Sequence, residues 1–137
     1  MPVVRIEQLT ESQRDDLHRL YRNEWWTADR DRAHVDAVLE GSDVVGALAD
    51  AETGALAAFA RAITDGVYKA MVFDVIVAPD RRDEGLGERV MDAVLTDPAV
   101  AAVEHVELYC REAMVPFYEQ WGFAADLGDL VLLRRGE

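Results

Sequence analysis

Apolar and polar positions along the chain change their period several times, and each change marks a predicted element. Residues 3–9 alternate loosely and read as a first strand. Thr10, Glu11, Ser12 and Gln13 then offer a capping box, after which Leu17, Leu20, Tyr21 and Trp25 recur at helical spacing. Val35, Val38 and Leu39 suggest a second short helix stopped at Gly41. Residues 44–49 and 55–63 read as strands joined by Asp50, Ala51, Glu52, Thr53 and Gly54, which is turn chemistry. A second turn at Thr64, Asp65 and Gly66 leads into a strong strand over residues 68–77, ended by Pro79.

The period then lengthens. Leu86, Val90 and Val94, with Met91 and Leu95, predict a helix over residues 85–96. Residues 103–110 return to strand, residues 113–121 to helix with Gly122 at its stop, and residues 123–134 fit a closing hairpin around Leu127, Gly128 and Asp129. The order is strand, two helices, three antiparallel strands, helix, strand, helix, two strands. That is a mixed α/β domain, and 137 residues without repeat or linker suit a single one, residues 1–137.

Composition narrows the partners. Half of the residues are apolar, enough for a core without disulfides. A net charge of -13 argues against nucleic acid and against anionic lipid, and no apolar run approaches a membrane span. Such an acidic body serves solubility first, and steering of a cationic substrate second. The first residues lack a signal-peptide layout, and the lone Cys110, expected to be a buried inert thiol, fits a reducing cytoplasm. His18, His34 and His105 have no ligand spacing, so no metal site is expected. Arg81, Arg82 and Arg89, by contrast, cluster in an otherwise acidic chain.

That cluster belongs to the most informative segment, Val75, Ile76, Val77, Ala78, Pro79, Asp80, Arg81, Arg82, Asp83, Glu84, Gly85, Leu86 and Gly87. A strand ends, proline breaks pairing, and a turn with arginine and two glycines opens a helix. A helix N-terminus offers unpaired N–H groups and partial positive charge, and glycine lets the backbone approach a phosphate. An ordinary strand-to-helix connection would need no more than the same glycines for a tight turn. Here the sequence resembles the GNAT superfamily of acyl-CoA-dependent N-acetyltransferases, whose Arg/Gln-x-x-Gly-x-Gly/Ala signature is met by Arg82, Gly85 and Gly87. The resemblance implies a GNAT fold, a mostly antiparallel twisted sheet of about seven strands flanked by four helices, splayed between the fourth and fifth strands. It implies that acetyl-CoA is the cosubstrate. Its pyrophosphate would lie on the amides of Arg82, Asp83, Glu84, Gly85, Leu86 and Gly87, and its pantetheine arm along Val75, Ile76 and Val77. Asp83 and Glu84 depart from the family habit, and their carboxylates would oppose a pyrophosphate unless they point away from it.

A second match follows further along, where Phe117-Tyr118 and Gly122-Phe123 keep the family's spacing, and residues 113–118 look like the arylalkylamine (serotonin) acetyltransferase version. The resemblance makes Tyr118 the general acid toward the departing thiolate. A phenol near pKa 10 can protonate a departing thiolate, whose thiol has a pKa of about 8.5, while staying neutral itself at pH 7 until then. A core tyrosine with its hydroxyl at the rim would look the same in sequence. Asp74, inside an apolar strand where desolvation would raise its pKa, is the candidate base for the amine, with a structural role beside an arginine equally open and a water chain as a further route. Trp25, Trp26 and Arg30 lie where the family's acceptor-binding loop falls, although the helical spacing of Trp25 also suits the core. Arg61 and Asp65 flank the turn before the central strand. The expected activity is direct acetyl transfer from acetyl-CoA to a primary amine, of a small molecule before a peptide, in a cytoplasmic protein that the family's habits make a homodimer. A non-catalytic acyl-CoA sensor is the alternative.

Overall fold

The computed structural model describes residues 2–136, which form two units dividing between Glu107 and Leu108. The first unit runs β1 (Val3–Ile6), α1 (Glu11–Arg22), α2 (Val35–Gly41), β2 (Val44–Asp50), β3 (Leu56–Thr64), β4 (Lys69–Val77), α3 (Leu86–Leu95), α4 (Pro98–Ala101) and β5 (His105–Glu107). Its sheet has the order β1-β2-β3-β4-β5, with the first three pairings antiparallel and β4 parallel to β5.

Local chemistry sets the ends of these elements. Thr10 accepts from the Gln13 amide while the Gln13 side chain accepts from the Thr10 amide, so the capping box closes and α1 begins at Glu11. The β2–β3 turn is held by Asp50, whose Oδ1 accepts from the Glu52 and Thr53 amides. Asp65 does the same for the β3–β4 turn, accepting from the amides of Val67, Tyr68 and Lys69.

Helices cover the sheet through two distinct packings. Leu17, Leu20 and Tyr21 of α1 share one buried cluster with Val35, Ala47, Phe59 and Ile76. The helix α3 packs on β2, β3 and β4 through buried Leu86, Val90, Met91 and Val94. Gly46 makes this approach feasible: a Cβ there would stand 2.9 Å from Val94 Cγ2 and 3.2 Å from the Val90 carbonyl oxygen.

The second unit holds a 3₁₀ turn (Glu112–Met114) and α5 (Val115–Glu119). Tyr118 is buried, in edge contact with Phe117 at 5.0 Å and Phe123 at 6.2 Å between ring centroids.

Three expectations need correction. The sheet has five strands rather than about seven, because the closing hairpin does not form among the described residues. Leu130, Val131, Leu132 and Leu133 are apolar but consecutive, so no alternation selects a buried face, and all four are exposed. The strand expected over residues 103–110 is only β5, whose ladder with β4 ends at Met71 and Glu107. The four expected helices are five among the described residues, because α4 starts where the Asp97 side chain accepts from the Ala99 amide and Pro98 takes the first helical position.

Candidate active site

The turn before α3 has the make-up of an anion cradle. Gly85 caps the helix with φ 75° and no side chain accepts from the first turn. Among the described residues, the amides of residues 82–88 find no acceptor within the chain. Seven neighbouring residues thus present donors at the positive end of a ten-residue helix. Asp83 sits at φ 66°, in the left-handed region where glycine is at ease and aspartate is one of the few tolerated substitutes.

The side chains around this turn are occupied. Glu84 is drawn onto Arg81, whose Nε lies 3.1 Å from it, and Arg81 also reaches Asp50 at 3.1 Å. Arg82, the signature arginine, is paired with Glu24 at 3.0 Å, and Arg89 donates to the Val3 carbonyl. The main-chain groups are therefore the donors here that lack acceptors altogether, while the three guanidinium groups already have partners. A cleft of about 410 Å³ beside the turn is lined by Asp50, Asp80, Arg81 and Glu84, and this acidic lining is unsuited to an anion.

Upstream, β4 offers an open edge. Its parallel ladder with β5 covers Lys69, Ala70 and Met71, and beyond Met71 β4 pairs with β3 alone among the described residues. Val75, Ile76 and Val77 lie on this unladdered stretch. That is the geometry needed for an extended ligand to add as a strand.

Within β4, a register shift opposite Phe59 and Arg61 forms a bulge, and Asp74 adopts φ 58° there. Bulges re-aim side chains, and this one turns the Asp74 carboxylate toward α1. Its Oδ2 accepts from Tyr21 Oη at 3.0 Å, Arg30 Nη1 at 2.8 Å and Arg61 Nε at 2.7 Å. Burial would raise its pKa, but hydrogen bonds and charge from the two arginines outweigh that and hold the carboxyl below the usual carboxylate range. The expectation of a raised pKa is thus reversed. Burial, with the charge of Asp74 added, pushes the Tyr21 phenol well above its ordinary value. Each guanidinium also stacks on a ring, Arg30 on Tyr21 at 4.6 Å and Arg61 on Phe73 at 4.7 Å.

The loop after α1 carries the remaining candidates. Because α1 ends at Arg22, Trp25 falls beyond the helix and is exposed, which corrects its reading as a core residue. Trp26 is exposed too, edge-on to Trp25 at 5.9 Å. Buried Thr27 donates to the Tyr21 carbonyl at 2.6 Å, and His18 Nε2 donates to the Arg30 carbonyl at 3.1 Å, fixing the loop at both ends. Tyr21 and His18 were not foreseen as site residues. Their helical spacing in the sequence identifies them only as members of α1.

In the second unit, burial and the nearby Cys110 push the Tyr118 phenol up to about 12. Cys110 itself is an exposed residue rather than a buried one, with its thiol pKa raised by partial burial.

The acetyltransferase (GNAT) family pattern matches residues 4–123, across the division between the units. GCN5-related N-acetyltransferase 1, chloroplastic, of Arabidopsis thaliana is 34% identical over 97 residues, covering 71% of this chain and 49% of that protein. Serotonin N-acetyltransferase 2, chloroplastic, of rice (Oryza sativa subsp. japonica) is 38% identical over 99 residues, covering 71% of this chain and 50% of that protein. The chain spans about half the length of these curated relatives. A crystal structure from Xanthomonas campestris pv. campestris, assigned to the GNAT family, superposes with a TM-score of 0.86 at 25% identity, covering 100% of this chain and 94% of that one. No helix among the described residues is long and apolar enough to cross a membrane.

Proposed function

The chain belongs to the acetyltransferase (GNAT) family, and on that premise we propose that it carries an acetyl group from acetyl-CoA directly to the primary amine of a small molecule. The observation that carries this reading is the run of acceptor-less amides over residues 82–88 at the head of α3. Main-chain donors at a helix N-terminus suit a diphosphate because they need no reorganisation and carry no counter-charge. The pantetheine arm then extends along Val75, Ile76 and Val77, and a main-chain N–H near Ile76 or Val77 polarises the thioester carbonyl. A single acyltransferase domain over residues 1–137 is the reading that the family pattern over residues 4–123 supports. The cytoplasmic location rests on the lone cysteine, and homodimer formation on family resemblance.

The residues divide the proton work as follows. Tyr118 donates to the departing sulfur. A phenol held near 12 stays neutral across the physiological range, so it hands over its proton only as negative charge develops on sulfur. Asp74 is the anchor of Tyr21, Arg30 and Arg61 rather than the base, since three donors already occupy its Oδ2 and its pKa is lowered. The amine loses its proton to water, and the Tyr118 phenolate regains one from solvent before the next turnover. Trp25, Trp26 and Arg30 receive the acceptor.

Release of CoA thiol from acetyl-CoA over a panel of primary amines tests the reading. Turnover is expected in the wild type, with kcat about 100-fold lower in Tyr118→Phe. The wild type should show no basic limb from Tyr118 ionisation below pH about 11. Equal kcat in the two proteins would remove Tyr118 from the chemistry. A non-catalytic acyl-CoA sensor is the second reading, favoured by the engagement of Asp74 with arginines. Calorimetric binding of CoA without turnover on any amine would select it.

A further inference from the structure

We propose, building on the acyl-transfer reading above, that the acceptor amine carries an oxyanion, a carboxylate or a phosphate, and that Arg30 and Arg61 bind it. The chain has 27 acidic residues against 14 basic ones, and its ion pairs reflect that excess. Arg81 faces both Asp50 and Glu84, and Arg32 faces both Glu11 and Asp15. At Asp74 the ratio inverts: two guanidinium groups share a single carboxylate. Among the described residues this is the ion-pair cluster in which cations outnumber acids.

The inversion lies in a place where surplus charge is costly. The Arg61 side chain is 12% exposed and that of Arg30 is 33% exposed. Holding a second cation out of water beside one counterion incurs a desolvation cost without full Coulomb return. One arginine would already balance the charge of Asp74. Both guanidinium groups are instead fixed, Arg30 on the Tyr21 ring and Arg61 on the Phe73 ring, and neither has a second carboxylate. Each donates to Asp74 through one nitrogen, and Arg61 also reaches Ser42 Oγ from Nη1 at 3.4 Å; the N–H groups that remain on the two planar forks match carboxylate or phosphate oxygens.

Surrounding features agree on what docks there. Arg30 closes the loop bearing exposed Trp25 and Trp26, so an apolar body and an anionic group can be received by the same short segment. Asp74 itself is held at positive φ on a bulge, a conformation whose strain needs support from its surroundings. The net result is a cationic spot on an acidic protein, which selects an acceptor by its anion rather than by the charge of its amine.

Matched acceptors test this directly: phenylalanine against phenethylamine for the carboxylate, and glucosamine 6-phosphate against glucosamine for the phosphate. Acetyl transfer is followed for turnover, and equilibrium binding to the CoA-loaded protein by calorimetry. In at least one pair the anionic member should have a KM or Kd lower by about tenfold or more, the value of one charge-assisted fork. The favoured pair identifies the oxyanion. In Arg30→Gln that ratio should fall toward one, and Arg30→Lys, which keeps charge but loses the fork, should restore only part of it. A selective binding ratio without turnover would uphold this inference while removing the transferase reading. Turnover or binding with no anionic preference in either pair would overturn the inference while leaving acyl transfer intact. Absence of binding and turnover with all four compounds would overturn it as well, and the wild type alone decides each of these outcomes.

Discussion

Asp74 is a single residue whose surroundings reverse what its sequence neighbours suggest. Apolar flanks point to a carboxyl driven up in pKa, yet Arg30 and Arg61 drive it down. Those partners come from positions 44 and 13 residues distant in the chain, which no local pattern reveals. Because the folded-state pKa is depressed, the ionised carboxylate stabilises the fold above its unfolded pKa of about 3.9, and this is lost as pH falls through the lower folded value. Replacing Asp74 with Asn leaves two cations without a counter-charge and should cost about 3–5 kcal/mol at pH 7. Thermal unfolding should show that gap full at neutral pH and closing below pH about 4. A gap that stays constant down to pH 2 would show that the charge of Asp74 contributes no stability.

Among elements, the turn into α3 was the most legible from sequence, because Pro79, Gly85 and the helical period of Leu86, Val90 and Val94 are local signals. The same holds for the capping box of α1 and for the two aspartate-held turns. Local signals mislead where the decisive partner is remote. Trp25 continues the helical spacing, but α1 stops at Arg22. The run Leu130 to Leu133 is apolar enough to suggest a strand, but no strand pairs with it among the described residues. Two substitutions examine the elements that position the site. Asp83→Gly relieves a side chain at φ 66° and removes one negative charge, so it should raise stability by roughly 1 kcal/mol and tighten CoA binding. Gly46→Ala forces a methyl group against Val94 and the Val90 carbonyl, and should cost about 1–3 kcal/mol by moving α3 off the sheet. Chemical denaturation checks both. A neutral Gly46→Ala would mean that α3 can move away without loss.

At the scale of the whole molecule, the charge of -13 is informative mainly through its exceptions. One is the anion cradle, where seven amides lack acceptors while Arg81, Arg82 and Arg89 each already have a partner. The other is the doubled arginine at Asp74. The mixed α/β class and the order of the elements through α3 follow from periodicity, whereas the strand count and the partners of Asp74 are tertiary facts. The central claim concerns seven amides, and amide-resolved nuclear magnetic resonance observes them individually. On titrating ¹⁵N-labelled protein with CoA, the resonances of residues 82–88 should move together and saturably, and pantetheine, which lacks the diphosphate, should leave them nearly in place. Folded protein whose signals for these residues ignore CoA, or respond equally to pantetheine, would contradict the account.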